Sequence, residues 1–275
     1  KSRVTKDFFS EDNRMLIYDD TIDFNFSEKG HRYTIKKRVG DVWLEAEPVV
    51  GITTITSIIA KDALVGWSAK LAAEYMRDNW DKVESKTALV DEAKNAHRDE
   101  KRKAGGVGTV GHKMIETLLL GKEVVMPEKE ELKVALANIR TQYERFREDF
   151  KPEILEIEVP KYSLTHNFAG TLDALLRIND KNVLVDFKTS NRSYYNPDGI
   201  YASNFAQLGG QSLLVKENGG EVDEAWITNF AKDSGEYKLR SLSDMNLTML
   251  DAELYFLHCL ALYNSNKLFE WRNSK

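Results

Sequence analysis

The chain has 275 residues, 42% apolar and 30% charged, a balance that reads as a soluble globular class and not a disordered one, with ample length to bury a core. No run approaches the roughly 18 apolar residues of a membrane span, the polar start Lys1-Ser2-Arg3 lacks an apolar signal core, and the lone Cys259 excludes disulfide frameworks, four-cysteine zinc sites and iron–sulfur clusters. With 39 basic against 44 acidic residues the net charge is -5, which by itself argues mildly against a nucleic-acid partner, and the expected compartment is cytoplasmic.

In chain order, residues 1–50 carry short alternating segments, Met15 to Asp19, His31 to Lys36 and Val42 to Glu45, broken by Glu28-Lys29-Gly30-His31 and Gly40-Asp41; they predict a small antiparallel meander. Residues 51–150 turn helical. Leu64, Trp67, Leu71 and Tyr75, then Leu132, Leu136, Ile139, Tyr143 and Phe146, recur at three- and four-residue spacings and predict a layer of four or five helices. After Pro152 the period switches to two. Ile154 to Val159, Gly170 to Ile178 and Val183 to Lys188 predict strands, and Asn179-Asp180-Lys181-Asn182 has hairpin-turn composition. A helix over Tyr201 to Lys216, strands near Glu224 to Phe230 and Tyr237 to Leu242, and a terminal helix from Ser243 to Asn264 complete residues 151–275. With no linker or repeat to divide it, the chain reads as one domain of α/β (α+β) class, a mixed sheet flanked by helices.

Gly106-Val107-Gly108-Thr109-Val110-Gly111 matches the dinucleotide fingerprint and nearly matches a P-loop. Both chemistries need a buried strand immediately before the glycines, and Lys94 to Lys103 is far too charged to be one. His112 and Lys113 also stand where a P-loop has its lysine and hydroxyl. No nucleotide cofactor is expected; the glycines are expected to end one helix and let the next sit close to the sheet.

The chemistry concentrates in Gly170-Thr171-Leu172-Asp173 and, twelve residues on, Asp186-Phe187-Lys188. On the two arms of a hairpin, Asp173 and Asp186 can meet on one face, and Asp186 shares its face with Lys188. Two carboxylates about 4 Å apart repel by roughly 4 kcal/mol at an effective dielectric near 20, so the pair wants a cation; a hard ion such as Mg²⁺ or Mn²⁺ suits. His112 and Glu116 are four apart on one helix face, and a glutamate amid Met114-Ile115 and Leu118-Leu119-Leu120 needs a reason.

These residues resemble the core motif of the PD-(D/E)XK nucleases. Three further segments resemble the RecB-like and phage-exonuclease branch: Gly108-Thr109-Val110-Gly111-His112 with Glu116, the lead-in Phe168-Ala169-Gly170-Thr171-Leu172, and Phe205-Ala206-Gln207-Leu208-Gly209-Gly210-Gln211. The resemblance spans Gly108 to Leu214, with a weaker echo in Gly51-Ile52-Thr53-Thr54-Ile55 ahead of Leu64-Val65-Gly66-Trp67. It implies a restriction-endonuclease-like core in which Glu116, Asp173, Asp186, the Phe187 carbonyl and His112 hold one or two Mg²⁺ or Mn²⁺ ions. Lys188 would activate water or stabilise the phosphate, with Gln207 orienting it. Gln211 stands where tyrosine is common in the family.

The implied activity is a metal-dependent DNA exonuclease of recombination, repair or replication, acting on linear duplex or single strand with free ends and working beside recombination or replication proteins, in the host cytoplasm if phage-encoded. A structure-specific or restriction-type endonuclease, or a catalytically silent DNA-binding module, are the alternatives. Arg192, Tyr194 and Tyr195 follow Lys188 and suit a strand entering the site, though turn-lining aromatics are equally common; Gln211 would also face nucleic acid. The Lys94 to Lys103 run is a solvated helix face or a phosphate track, and Glu158 is an exposed strand residue or one that supports the site from behind.

Overall fold

The computed structural model describes residues 4–5, 14–60, 62–83, 85–190 and 201–273. An N-terminal meander contains β2 (Arg14–Ile17), β3 (Ile22–Ser27), β4 (Arg32–Val39), β5 (Val42–Trp43) and β6 (Glu47–Gly51), preceded by a short β1 (Val4–Thr5) that pairs with β7 (Glu153–Ser163). Strand β3 lies between two predicted segments and escaped the sequence pattern because Asp23 is buried there against Arg14. Phe24, Phe26 and Tyr33 stack inside the meander, and Phe24 also stacks on Tyr162 of β7, so the meander shares a core with the main sheet.

Helices α1 (Ile52–Thr56), α2 (Asp62–Asn79), α3 (Lys86–Leu119) and α4 (Glu130–Phe150) form the helical layer. The expectation that the glycines interrupt a helix is not met: α3 runs through Gly105, Gly106, Gly108 and Gly111 for 34 residues, about 51 Å. Each glycine weakens a helix by about 1 kcal/mol, but Leu89 and Ala93 at one end and Met114, Ile115 and Leu119 at the other are buried, and tertiary packing outweighs local propensity. The expected close approach is present. A Cβ on Gly111 would lie 3.0 Å from Ile139 and 3.1 Å from Thr189 of β9 (Lys181–Ser190), so its absence lets α3 rest on the sheet.

The main sheet runs β11 (Tyr237–Ser241), β10 (Glu224–Ala231), β9, then β8 (Phe168–Ile178). Strands β8 and β9 form the predicted hairpin; Asn179 and Asp180 both take positive φ (48° and 63°), the two-residue turn that matches strand twist. Between β9 and its parallel neighbour β10 the chain crosses over through α5 (Ala202–Glu217). The terminal helix α6 (Met249–Asn273) starts later than its periodicity suggests. A short 3-10 turn, Ser243–Met245, ends at Asn246 with φ 55°, and Thr248 then exchanges hydrogen bonds with Asp251 to cap α6. Helices α3 and α4 cover one face of the sheet around Ile139, Phe146, Phe187 and Phe230; α5 and α6 cover the other. No described helix is long and apolar enough to cross a membrane.

One feature of the sheet positions the site. Strand β7 pairs with β8 from Phe168 to Arg177, filling one edge, so β9 and β6 must share the opposite edge. Strand β9 takes Ala174 to Ile178 and β6 takes Phe168 and Ala169. Among the described residues, no strand pairs with Gly170 to Asp173 on that edge. The sheet therefore opens a seam where Asp173 sits.

Candidate active site

Asp173 stands one residue beyond the last β8–β9 pair, Ala174 with Val185. Its carboxylate continues the ladder in place of a backbone carbonyl: Oδ2 accepts the Phe187 N–H at 2.8 Å. Alternation along β9 sends Phe187 into the α3/α4 core and turns Asp186 and Lys188 toward α5. Asp186 is fully buried. Its Oδ1 accepts from Lys188 Nζ (2.9 Å) and from the Gln207 amide (2.7 Å), and its Oδ2 lies 2.6 Å from Nζ without a hydrogen bond of its own. Gln207 closes the triangle by accepting from Lys188 Nζ at 3.4 Å. Helix α5 can bring Gln207 this close because Gly209 and Gly210 let α6 pack against it; a Cβ on Gly209 would lie 2.0 Å from the Ala252 carbonyl oxygen.

Burial is the main cause that lifts the Asp186 carboxyl to about 6, Lys188 opposing and Asp173 adding to it. For Lys188, burial alone would lower the ammonium, but Asp186 and Asp173 outweigh it and hold its pKa above the ordinary lysine value. The pair is a carboxylate short of positive charge and a lysine that supplies some.

On the α3 side, His112 Nδ1 lies 3.8 Å from Asp173 Oδ2. Burial, helped by the charges of Lys188 and Lys232 and opposed by Asp173, lowers its pKa, so the ring is neutral at pH 7. Glu116 is only 7% exposed, and its carboxylate accepts from Lys113 Nζ at 3.0 and 2.9 Å. The structure thus gathers Asp173, Asp186, Lys188 and Gln207 and brings His112 alongside. Among the described residues, no three His, Cys, Asp or Glu side chains converge closely enough to cage a metal ion. Asp173 and Asp186 are oxygen donors at one seam, the donor type that a hard divalent ion takes, while Lys188 and Lys113 answer the charges of Asp186 and Glu116.

Gln211, expected to face nucleic acid, is instead 1% exposed; its amide donates to the Thr171 carbonyl at 3.3 Å, so it supports the seam from beneath. Arg192, Tyr194 and Tyr195 lie outside the described residues. Glu158 is the residue that the sequence pattern undervalued. It falls opposite Asp173, between the Ile157–Ala174 and Val159–Leu172 pairs, and holds a left-handed φ of 50° in the middle of β7. A non-glycine residue rarely takes that conformation inside a strand, and no side-chain pattern announces it. No family model matches the sequence, and no curated protein is significantly similar to it.

Proposed function

We propose that the chain is a divalent-metal-dependent deoxyribonuclease with a PD-(D/E)XK-type site, acting as an exonuclease on DNA ends. The observation that carries this reading is the Asp186–Lys188–Gln207 triangle beside Asp173 at the open seam. A fully buried carboxylate with a raised pKa, locked to a lysine and to Gln207 of α5, is an expensive arrangement for a merely structural ion pair. Asp173 and Asp186, with Glu116, His112 and the Phe187 carbonyl, are the residues that would hold Mg²⁺ or Mn²⁺. The bound ion supplies a polarised phosphoryl oxygen and a water of lowered pKa.

The remaining roles belong to the chain's own side chains. Lys188 keeps its proton and presents Nζ, steadied by Asp186 and Gln207, to the phosphate as negative charge builds on it. Gln207 fixes the pair by donating to one member and accepting from the other. Neutral His112 leaves a ring nitrogen free of charge repulsion with an incoming cation. The Phe187 N–H, by binding Asp173 Oδ2, orients that carboxylate so that it need not reorganise.

The test compares end-labelled linear DNA with covalently closed circles in Mg²⁺, Mn²⁺ or EDTA, using the wild type, Asp186→Ala and Lys188→Ala. Metal-dependent loss of end label from linear DNA, with both variants reduced at least 100-fold, is the expected result. Equal cleavage of closed circles would make the enzyme an endonuclease, and cleavage of neither substrate under any metal would leave a DNA-binding module or nothing of the kind.

A further inference from the structure

The face of α3 that carries His112 does not end at the site. At about 100° per residue, Lys94, Arg98, Lys101, Gly105 and Gly108 all fall within about 40° of the direction of His112, one straight row along the helix. Two contacts tie the near end of that row to the seam. His112 Nδ1 lies 3.8 Å from Asp173 Oδ2, and a Cβ added at Gly108 would lie 3.5 Å from the hydroxyl of Thr189, the residue after Lys188 on β9. Helix α2 packs on the other side of α3, where Leu89 is buried and Tyr75 donates to Glu92, about 140 and 160° round from His112.

The row is selective in charge. Asp99 and Glu100 lie more than about 100° away from it, so no acidic side chain stands on it between Lys94 and His112. Elsewhere on α2 and α3 cations are answered by carboxylates: Arg77 by Asp78, Lys94 by Asp91, Arg102 by Asp99. Arg98 and Lys101 are exposed, and among the described residues neither has an ion pair. In a chain of net charge -5, two unanswered cations on an acid-free row that leads out of the site are not an even scatter. Between them and His112 the row is bare. Gly105 is exposed, and nothing lies within 4 Å of a Cβ added there, so packing within the protein does not call for glycine. A glycine that weakens its helix without serving the core leaves a smooth surface on which another backbone can lie close.

We propose that this row is a track for one strand of DNA, which leaves the seam beside His112, lies across Gly108 and Gly105, and sets its phosphates on Lys101 and Arg98. The inference rests on the nuclease reading and adds to it the path of the substrate. A single line of cations on one helix matches one sugar-phosphate backbone, not the two of a duplex. At roughly 1.5 Å per residue, Lys101 stands about 16 Å and Arg98 about 21 Å from His112 along the helix axis. Those lengths are about five and six nucleotides of a stacked strand at roughly 3.4 Å each.

The test measures kcat and KM for cleavage of single-stranded oligonucleotides of about 4, 8, 12 and 20 nucleotides at several NaCl concentrations. Anisotropy binding of the labelled 20-mer in EDTA and thermal melts run alongside. The proteins are wild type, Arg98→Gln with Lys101→Gln, Arg98→Lys with Lys101→Arg, Arg102→Gln and Gly105→Gln. Removing both cations should raise KM for the 20-mer about tenfold, leave kcat within about twofold and leave KM for the 4-mer unchanged. It should also reduce the slope of log KM against log salt by about 1.4, the signature of two lost single-strand phosphate contacts. The charge-preserving pair should behave as wild type, and so should Arg102→Gln, which removes a cation from a neighbouring face. Gly105→Gln should melt no lower than wild type yet raise KM for the 20-mer, because its side chain stands in the path. A wild-type KM and salt slope in the doubly neutralised protein, or a loss of the same size in Arg102→Gln, would overturn the track while leaving the nuclease reading intact. Absence of cleavage by the wild type in every metal would overturn the nuclease reading. The track would then stand or fall on affinity for the 20-mer in EDTA, expected to be about tenfold weaker without the two cations.

Discussion

Asp186 carries the clearest consequence of burial. Its folded pKa of about 6 lies above the ordinary aspartate value near 3.8, so the folded protein holds a proton that the unfolded chain has released between those two values. Any stabilisation from this group is complete below pH 4 and is lost as pH rises through 6, which amounts to a penalty of about 3 kcal/mol at pH 8. Asp186→Asn should therefore melt higher than the wild type at pH 8 in EDTA, and the two should converge at pH 4. Calorimetric scans at the two pH values check this; a variant less stable at pH 8 would mean that the Asp186 carboxyl is not raised in the folded protein. Glu158 is the second residue to test. Glycine adopts a φ of 50° freely, so Glu158→Gly should raise the melting temperature by relieving roughly 1 kcal/mol of backbone strain. A gain in stability accompanied by loss of cleavage would mark that strain as part of the site. Asp173, Asp186 and Lys188 were legible in the sequence because a period of two dictates which side chains share a face; Gln207, on a helix, was named only through the resemblance of its segment to the family. The burial of Gln211 and the backbone of Glu158 were not legible, since both depend on what lies across the seam and not on neighbours in the chain.

Elements show the same division. Hairpin β8–β9 could be read from its turn residues, and α5, β10 and β11 from their periods, to within a few residues at each end. The glycines of α3 misled because composition reports a residue's intrinsic preference, whereas the helix continues wherever both flanks are packed. Substitution separates the two kinds of glycine. Nothing lies within 4 Å of a Cβ added at Gly105, so Gly105→Ala should stabilise the protein by about 0.5–1 kcal/mol, read as a higher denaturant midpoint with unchanged slope. At Gly209 the added Cβ would meet the Ala252 backbone at 2.0 Å, and Gly209→Ala should force α5 from α6, destabilise by 2 kcal/mol or more, and cut activity further by displacing Gln207. The late start of α6 belongs to the same lesson: apolar periodicity alone runs past the Thr248–Asp251 cap that sets it.

At the scale of the molecule, the net charge of -5 says little about the partner, because a few buried carboxylates and Lys188 at one seam decide the local field. Cation-dependent behaviour should follow. Millimolar Mn²⁺ or Mg²⁺ should raise the melting temperature of the wild type by several degrees and leave Asp173→Asn with Asp186→Asn unmoved; an equal shift in both proteins would place the ion elsewhere. The seam has one more consequence. A strand that exchanges one neighbour for another along a single edge has, between them, a stretch without backbone pairing on that edge, and there the Asp173 side chain takes the place of the missing partner by accepting the Phe187 N–H. Loss of that carboxylate would leave a strand amide without its acceptor at the very point where β9 presents Asp186 and Lys188.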